Sequence, residues 1–407
     1  MIVMDPSAIG EAEPVSPAAP VAPGSSSKET PRPRRRLRAI LLRLAALAIG
    51  ILAAALLAEL AVTLILGEQV KFPRHVVEAP WGLRYNEPGS RYRHRSADGT
   101  WFFRINQEGM RDDREFRHEK PPGTKRIVSL GDSFTIGYEV DVEETFSRVL
   151  ERELTKSGYR VEVLNAGVSG YSNAEALLYL ERELLKYEPD VVVVSFFAND
   201  LVDNVRSGLF RLENGRLVAG QQAYVPAGRL GNFLNKNAFF NFLSERSNAF
   251  AFLKERLTYL AKKKMVEENE QNLAVAASAT SEENHSGEPR PPRKETPPKP
   301  QDALTLAIFD RMWQLLHERG IPLVIQSIPT RTDVGGERLI ESFPIKDFDI
   351  SRSGIYFLDA KRLLDPSVGQ EQLYWLRSHF HWTPVSHDVS GKALAQLIRD
   401  EGLLGAP

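Results

Sequence analysis

Residues 191 to 194 are four consecutive valines. A helix built of β-branched residues loses side-chain freedom, whereas a strand buried on both faces is suited by them. The apolar pattern around this run alternates between two periods, predicting strands over Arg126–Leu130, Val161–Leu164 and Val191–Ser195 and helices over Glu143–Thr155 and Asn173–Lys186. Such alternation implies an α/β fold of right-handed βαβ units, with a parallel sheet covered by helices on both faces. The alternation then breaks. Glu213-Asn214-Gly215 predicts a hairpin turn, Phe239–Tyr259 has helical spacing of aromatics, and 263–300 is a Lys/Glu/Ser/Pro-rich stretch expected to be disordered. Helix and strand resume at Ala303–His317 and Leu323–Ser327, followed by Ile355–Leu358 and a final helix near Lys392–Asp400. An insertion at about 205–300 therefore separates the third and fourth strands.

The N-terminal part obeys a different constraint. Residues 5–36 are rich in Pro, Ala and Ser and end in a basic run, with too little apolar surface to offset the entropy of ordering, so 1–38 is expected to be a disordered tail. From Leu44 to Gly67, 24 positions carry one charge, Glu59. About 20 residues cross a hydrocarbon layer of ~30 Å, and 39–67 is expected to be a transmembrane helix. The run is longer than the ~7–15 apolar residues of a cleaved secretory signal, and no clear small-residue cleavage site follows it. Seven Lys or Arg lie between Lys28 and Arg43. That flank should stay cytoplasmic and everything after residue 68 should face outward, into the periplasm if the source is a Gram-negative bacterium. Glu59 reads most simply as a neutral, hydrogen-bonded acid, the alternative being a contact to a partner helix. Residues 68–122 carry scattered aromatics and turn formers, which suit short strands in a juxtamembrane ancillary region, leaving 123–407 as the main domain.

In an open parallel sheet, ligands bind beyond the carboxyl ends of the strands, where helix N-termini point at the site. The first strand is followed by Gly131-Asp132-Ser133-Phe134, the second by Asn165-Ala166-Gly167-Val168-Ser169-Gly170, the third by Phe196-Phe197-Ala198-Asn199-Asp200. Near the C-terminus stands Ser378-His379-Phe380-His381-Trp382-Thr383-Pro384. Acyl transfer needs a hydroxyl nucleophile, a base and donors aimed at the developing oxyanion. Ser133 can supply the first, a histidine the second, and the N–H groups of Ser133 and Gly170 with the Asn199 amide the third. Each signal has a plainer explanation: Gly-Asp-Ser after a strand is commonly a helix cap, and Asn-Asp a turn. Asp132 and Asp200 read as supports of their loops, and Gly167 and Gly170 as glycines of tight turns.

Taken together these four loops resemble the SGNH/GDSL hydrolase family, whose name comes from Ser, Gly, Asn and His in four sequence blocks. Ser133, Gly170, Asn199 and His381 fall at those positions, over about residues 125–200 and 370–400. The resemblance implies a flavodoxin-like three-layer sandwich and an ester hydrolase or O-acyl(acetyl)transferase working through an acyl-enzyme. Two places depart from the pattern. Phe197 stands where the third block has glycine, and His379 and Ser378 stand where the last block has an aspartate ahead of its histidine. The usual acid is thus missing beside His381. A backbone carbonyl or Ser378 holding His381, a more distant acid such as Asp388, or a loss of catalysis each fit that gap.

His387 competes with His381 as the base, but the sequence after it reads as the helix that follows a His-Trp-Thr-Pro turn. His379, His381 and His387 are alternatively a metal-binding set; with no cysteine and no HExxH helix to support it, the expectation is no metal and no cofactor. The absence of cysteine also removes disulfides and thiolate catalysis. Lys plus Arg number 52 and Asp plus Glu 53, which offers no electrostatic reason for a nucleic-acid partner. The partners expected are a membrane, through one helix, and an ester, which family analogy extends to an acylated envelope or secreted glycan. The competing class is a catalytically impaired glycan-binding or envelope scaffold module.

Overall fold

The computed structural model describes residues 33–71, 76–220, 237–260, 263, 264, 267, 299–333 and 337–407. The expected tail up to residue 32 and nearly all of the polar stretch 263–300 lie outside them. The chain divides into two compact units, one up to Ala55 and one from Leu56 onward. A helix runs over Pro33–Leu66, starting at Pro33 rather than at residue 39. Proline suits a first helical position, where its missing N–H would have had no partner, and arginine is a good helix former. The stretch Leu37–Leu66 is long and apolar enough to cross a membrane.

The second unit opens with two antiparallel ribbons, β1 (Val76–Glu78) with β2 (Arg84–Asn86) and β3 (Arg91–Arg95) with β4 (Thr100–Arg104). Next come β5 (Lys125–Leu130), β6 (Val161–Asn165) and β7 (Val191–Phe196). A hairpin of β8 (Phe210–Glu213) and β9 (Arg216–Ala219) turns at Asn214 and Gly215, both at positive φ. The chain returns to β10 (Leu323–Ser327), makes a small ribbon of β11 (Thr330–Thr332) and β12 (Arg338–Ile340), and ends its strands with β13 (Ile355–Asp359).

The central sheet has the order β6-β5-β7-β10-β13 and every pair is parallel. This is a doubly wound, flavodoxin-like order whose switch point lies between β5 and β7. The valine run fills both sides of it. Val191 and Val193 join Phe146, Leu150 and Leu394, while Val192 and Val194 join Leu177, Phe309 and Leu316 on the other face. Helices Phe146–Lys156 and Pro384–Asp400 thus cover one side, and Asn173–Arg182 and Pro300–His317 the other.

Capping sets the helix limits that periodicity leaves open. The helix expected from Glu143 starts at Phe146, because Thr145 accepts a hydrogen bond from the Arg148 N–H (3.3 Å) after a single 3₁₀ turn. The last helix starts at Pro384, well before Lys392. The aromatic stretch after residue 237 is broken at Ser247 into helices Ala238–Arg246 and 248–260. Ser247 has extended backbone, and its hydroxyl accepts the Phe250 N–H at 3.0 Å, capping the second helix.

That cap also corrects the reading of Glu59. Its carboxylate accepts hydrogen bonds from Ser247 Oγ (2.7 Å), Asn248 N–H (2.8 Å) and Ala249 N–H (3.0 Å). Both oxygens act only as acceptors, as suits an ionised group at the positive end of a helix. Glu59 is therefore the anchor of a neighbouring helix of its own chain, not a neutral acid.

The β3–β4 ribbon packs through Tyr92, Trp101 and Phe103 onto Ile136 and Tyr138, just past β5. The β1–β2 ribbon is fastened by Arg84, whose Nε lies 2.9 Å from Glu175 Oε1 with both side chains buried. Arg84→Ala would leave that carboxylate without its countercharge and is expected to lower stability by about 3–5 kcal/mol, read from the denaturant midpoint.

Candidate active site

Ser133 begins a one-turn helix, Ser133–Ile136, directly beyond β5. Gly131 has φ +156°, and a side chain there would meet Thr135 Oγ1 at 2.3 Å, so the approach to Ser133 requires glycine. The Asp132 carboxylate accepts the Phe134 N–H at 2.9 Å, which fixes the turn. Burial, reinforced by the charge of Asp203, raises the Asp132 pKa to about 6. Asp200 does the same for its loop, accepting the Phe197 N–H at 2.9 Å, and burial beside Asp132 lifts its pKa well above the carboxylate range. Both aspartates are loop supports, as the sequence suggests.

His381 arrives from the far end of the chain. A positive φ of 56° at Phe380 turns the backbone, Trp382 is fully buried, and the Trp375 N–H donates to the His381 carbonyl at 2.9 Å. So held, His381 places Nε2 2.9 Å from Ser133 Oγ. Ser133, Gly170, Asn199 and His381 line one cavity of about 360 Å³. Gly170 has φ +71°, and its carbonyl accepts from Arg84 and, at 3.3 Å, from Arg206. Gly167 serves differently: its φ is ordinary, and a side chain would run into the Ile136 nitrogen at 2.3 Å. Phe197 packs on Phe134, ring centres 4.6 Å apart, and lines the same cavity, narrowing it while Asn199 remains on its wall.

The carboxylate behind the histidine is Glu139, a residue that sequence reasoning missed. Glu139 Oε2 lies 3.5 Å from His381 Nδ1, and its Oε1 lies 3.2 Å from His94 Nε2. Ser378 donates its hydroxyl to the same carboxylate at 2.7 Å, and the Trp375 indole N–H donates to the Glu139 carbonyl at 2.9 Å. Ser378 therefore supports the acid rather than holding His381. Burial acts to raise the Glu139 pKa, but hydrogen bonds and charge from His381 and His94 outweigh it and hold the carboxyl below its usual range. For His381, burial lowers the pKa and Glu139 only partly offsets this, which favours the neutral imidazole. The missed signal was local: an acid in Gly137-Tyr138-Glu139, immediately after the serine's short helix, with φ 65° that faces it inward.

The remaining candidates fall elsewhere. His387 is buried with Nδ1 accepting the Phe146 N–H at 3.2 Å and its ring stacked on Phe146, so it does not compete as the base. Asp388 sits on the outer face of the last helix, paired with Lys392 at 2.6 Å, and cannot substitute as the acid. His379 lines the cavity and lies 3.8 Å from Glu255. Among the described residues no group of three or more His, Cys, Asp or Glu is placed to hold a metal ion.

Residues 129–251 match the model of the GDSL-like lipase/acylhydrolase family. Over these residues the chain is similar to the SGNH/GDSL hydrolase family. An arylesterase of Vibrio mimicus is 31% identical over 77 residues, covering 19% of this chain and 38% of that protein. Esterase TesA of Pseudomonas aeruginosa PAO1 is 30% identical over 74 residues, 18% of this chain and 37% of its own. The chain thus spans under two-fifths of the length of either of these curated relatives. Among solved structures, a lipolytic protein of the G-D-S-L family from Desulfitobacterium hafniense DCB-2 aligns over 67% of this chain and 99% of its own, with 14% identity and a TM-score of 0.34. A family 3 carbohydrate esterase of Clostridium thermocellum aligns over 70% and 100%, with 12% identity and a TM-score of 0.35.

His387 offers a test of this packing. Burial, with the Arg111 charge, lowers its pKa from 6.5 to about 3, so below pH 6.5 the unfolded chain binds a proton that the folded chain refuses. Stability present above pH 6.5 should fall steadily as pH drops toward 3, and His387→Leu should flatten that slope in denaturation curves, whatever its effect at neutral pH.

Proposed function

We propose that this chain is a serine-dependent ester hydrolase or O-acyltransferase, with Ser133 as nucleophile, His381 as base and Glu139 as the acid that orients it. The reading is carried by one observation, the file from Ser133 Oγ to His381 Nε2 at 2.9 Å and from His381 Nδ1 to Glu139 Oε2 at 3.5 Å. The second distance is at the outer limit for a hydrogen bond.

In the reaction, His381 Nε2 takes the Ser133 proton as Oγ bonds to the ester carbonyl carbon. The resulting oxyanion meets the N–H groups of Ser133 and Gly170 and the Asn199 amide, while Glu139 stabilises the imidazolium. Collapse breaks the ester C–O bond, and His381 returns the proton to the departing oxygen. Water, or the hydroxyl of an acceptor, then attacks the acyl-enzyme with the same base, giving hydrolysis or transfer. The place of Glu139 beside His381 supports a working triad over an impaired scaffold module. That both curated relatives are esterases supports ester bonds as the target. The basic flank before the membrane-length helix supports placing the site outside the cytoplasm, where acylated envelope glycans are candidate substrates or acceptors.

A fluorophosphonate should label Ser133, and Ser133→Ala should abolish both labelling and p-nitrophenyl acetate hydrolysis. Equal turnover in wild type, Ser133→Ala and His381→Ala would overturn the mechanism. Glu139→Gln should lower kcat by about 10²- to 10⁴-fold with the fold intact. Because His381 must be neutral to act and burial holds its pKa below 6.5, kcat/KM should be lost as pH falls through a midpoint under 6.5. Glu139 raises that pKa, so Glu139→Gln should move the midpoint lower still, a shift that a purely structural role would not produce.

A further inference from the structure

The helix over 248–260 has two unlike faces. Ala251, Lys254, Glu255 and Thr258 line the cavity that holds Ser133 and His381. The other face presents Leu253, Leu257 and Leu260, which are 55%, 58% and 59% exposed, at helical spacing. The preceding helix, Ala238–Arg246, adds Phe239 and Phe242, also exposed. A contiguous apolar face of this kind is unfavourable in water and marks a surface meant to be covered.

Its attachment says by what. The start of the 248–260 helix is tied to Glu59 by three hydrogen bonds, Asn248 Nδ2 donates to Thr63 Oγ1 at 3.0 Å, and Asn248 Oδ1 accepts the Gln69 N–H at 3.0 Å. All of these partners lie in or just after the last turns of the membrane-length helix. Glu59 is about two turns back from Leu66, roughly 10 Å at the helical rise, which is the depth at which an interfacial helix buries its apolar face. Leu60, Leu64 and Ile65 are exposed along the same turns, so the turns to which these helices are attached carry exposed apolar side chains as the helices do. Arg246 and Arg256 stand exposed beside it, within reach of lipid phosphates.

We propose that helices Ala238–Arg246 and 248–260 lie in the headgroup region of one phospholipid leaflet, and that the site draws an acyl ester carried by a membrane lipid through the cavity wall they form. The substrate half of this proposal rests on the esterase reading above. The membrane half rests on the attachment alone. Val70, next after the membrane helix, and Ser244 and Tyr259 on the two helices complete the wall on that side.

The chain contains no cysteine, so Leu253→Cys and Leu257→Cys give single labelling sites in the full-length protein. With nitroxide labels in phospholipid nanodiscs, both positions should collide with dissolved oxygen far more than with a water-soluble nickel chelate. Nickel access would overturn the proposal, as would shielding from both reagents, the mark of a second copy or another protein on this face. For the substrate half, Leu253→Asp/Leu257→Asp should keep turnover of a soluble p-nitrophenyl ester within about twofold and lower turnover of a bilayer-embedded lipid ester at least about tenfold. Equal losses on both esters, or none on either, would overturn it. If the wild type turns over neither ester, the catalytic reading fails and the lipid substrate with it, while the labels still decide where the helices lie.

Discussion

A carboxylate with no exposed surface has to be surrounded by donors, and Glu139 is surrounded by two imidazoles, a hydroxyl and, at its own carbonyl, an indole N–H. The donors come from two distant parts of the chain: His94 from the β3–β4 ribbon, and Trp375, Ser378 and His381 from the C-terminal loop. Burying this one charge without them would cost several kcal/mol. With them, it draws two distant segments to the end of β5 and fixes the position of the imidazole beside Ser133. The order of the sheet does the rest, since the switch point between β5 and β7 is where Ser133 and Asn199 emerge side by side.

A second, half-buried carboxylate organises the other wall. Glu59 is met by the first N–H groups of a helix, where unpaired donors and the aligned peptide dipoles favour negative charge. The helix so fixed contributes residues to the cavity on one side and leucines to the exterior on the other. A single acid in an otherwise uncharged run thus sets how the insertion meets the rest of its unit.

Much of this was legible from residue order. The valine run and the flanking alternation point to a parallel sheet, and the rule that ligands gather at strand ends leads to Ser133, Gly170, Asn199 and His381. Glu139 escaped because the search for an acid stayed next to the histidine, whereas the fold brings it from next to the serine. His94 could not be found, since nothing in the period of β3 distinguishes a buried imidazole from an ordinary inward-facing side chain. The break at Ser247 was hidden by aromatics whose spacing continues across it; only the capping geometry, set by Glu59, shows that the helix restarts. Glu59 itself was misread because an acid in an apolar run was weighed against lipid and a foreign helix, not against a later segment of the same chain.

The β3–β4 ribbon lies before the recognisable α/β core, yet it delivers His94 to Glu139 and covers Ile136 and Tyr138 with Tyr92, Trp101 and Phe103. Trimming the polypeptide to the part that looks like a self-sufficient catalytic module, from about Gly123 onward, would strip an aromatic blanket from the turn behind the serine and leave the acid half-partnered. Any minimal version made for the laboratory therefore has to carry this segment.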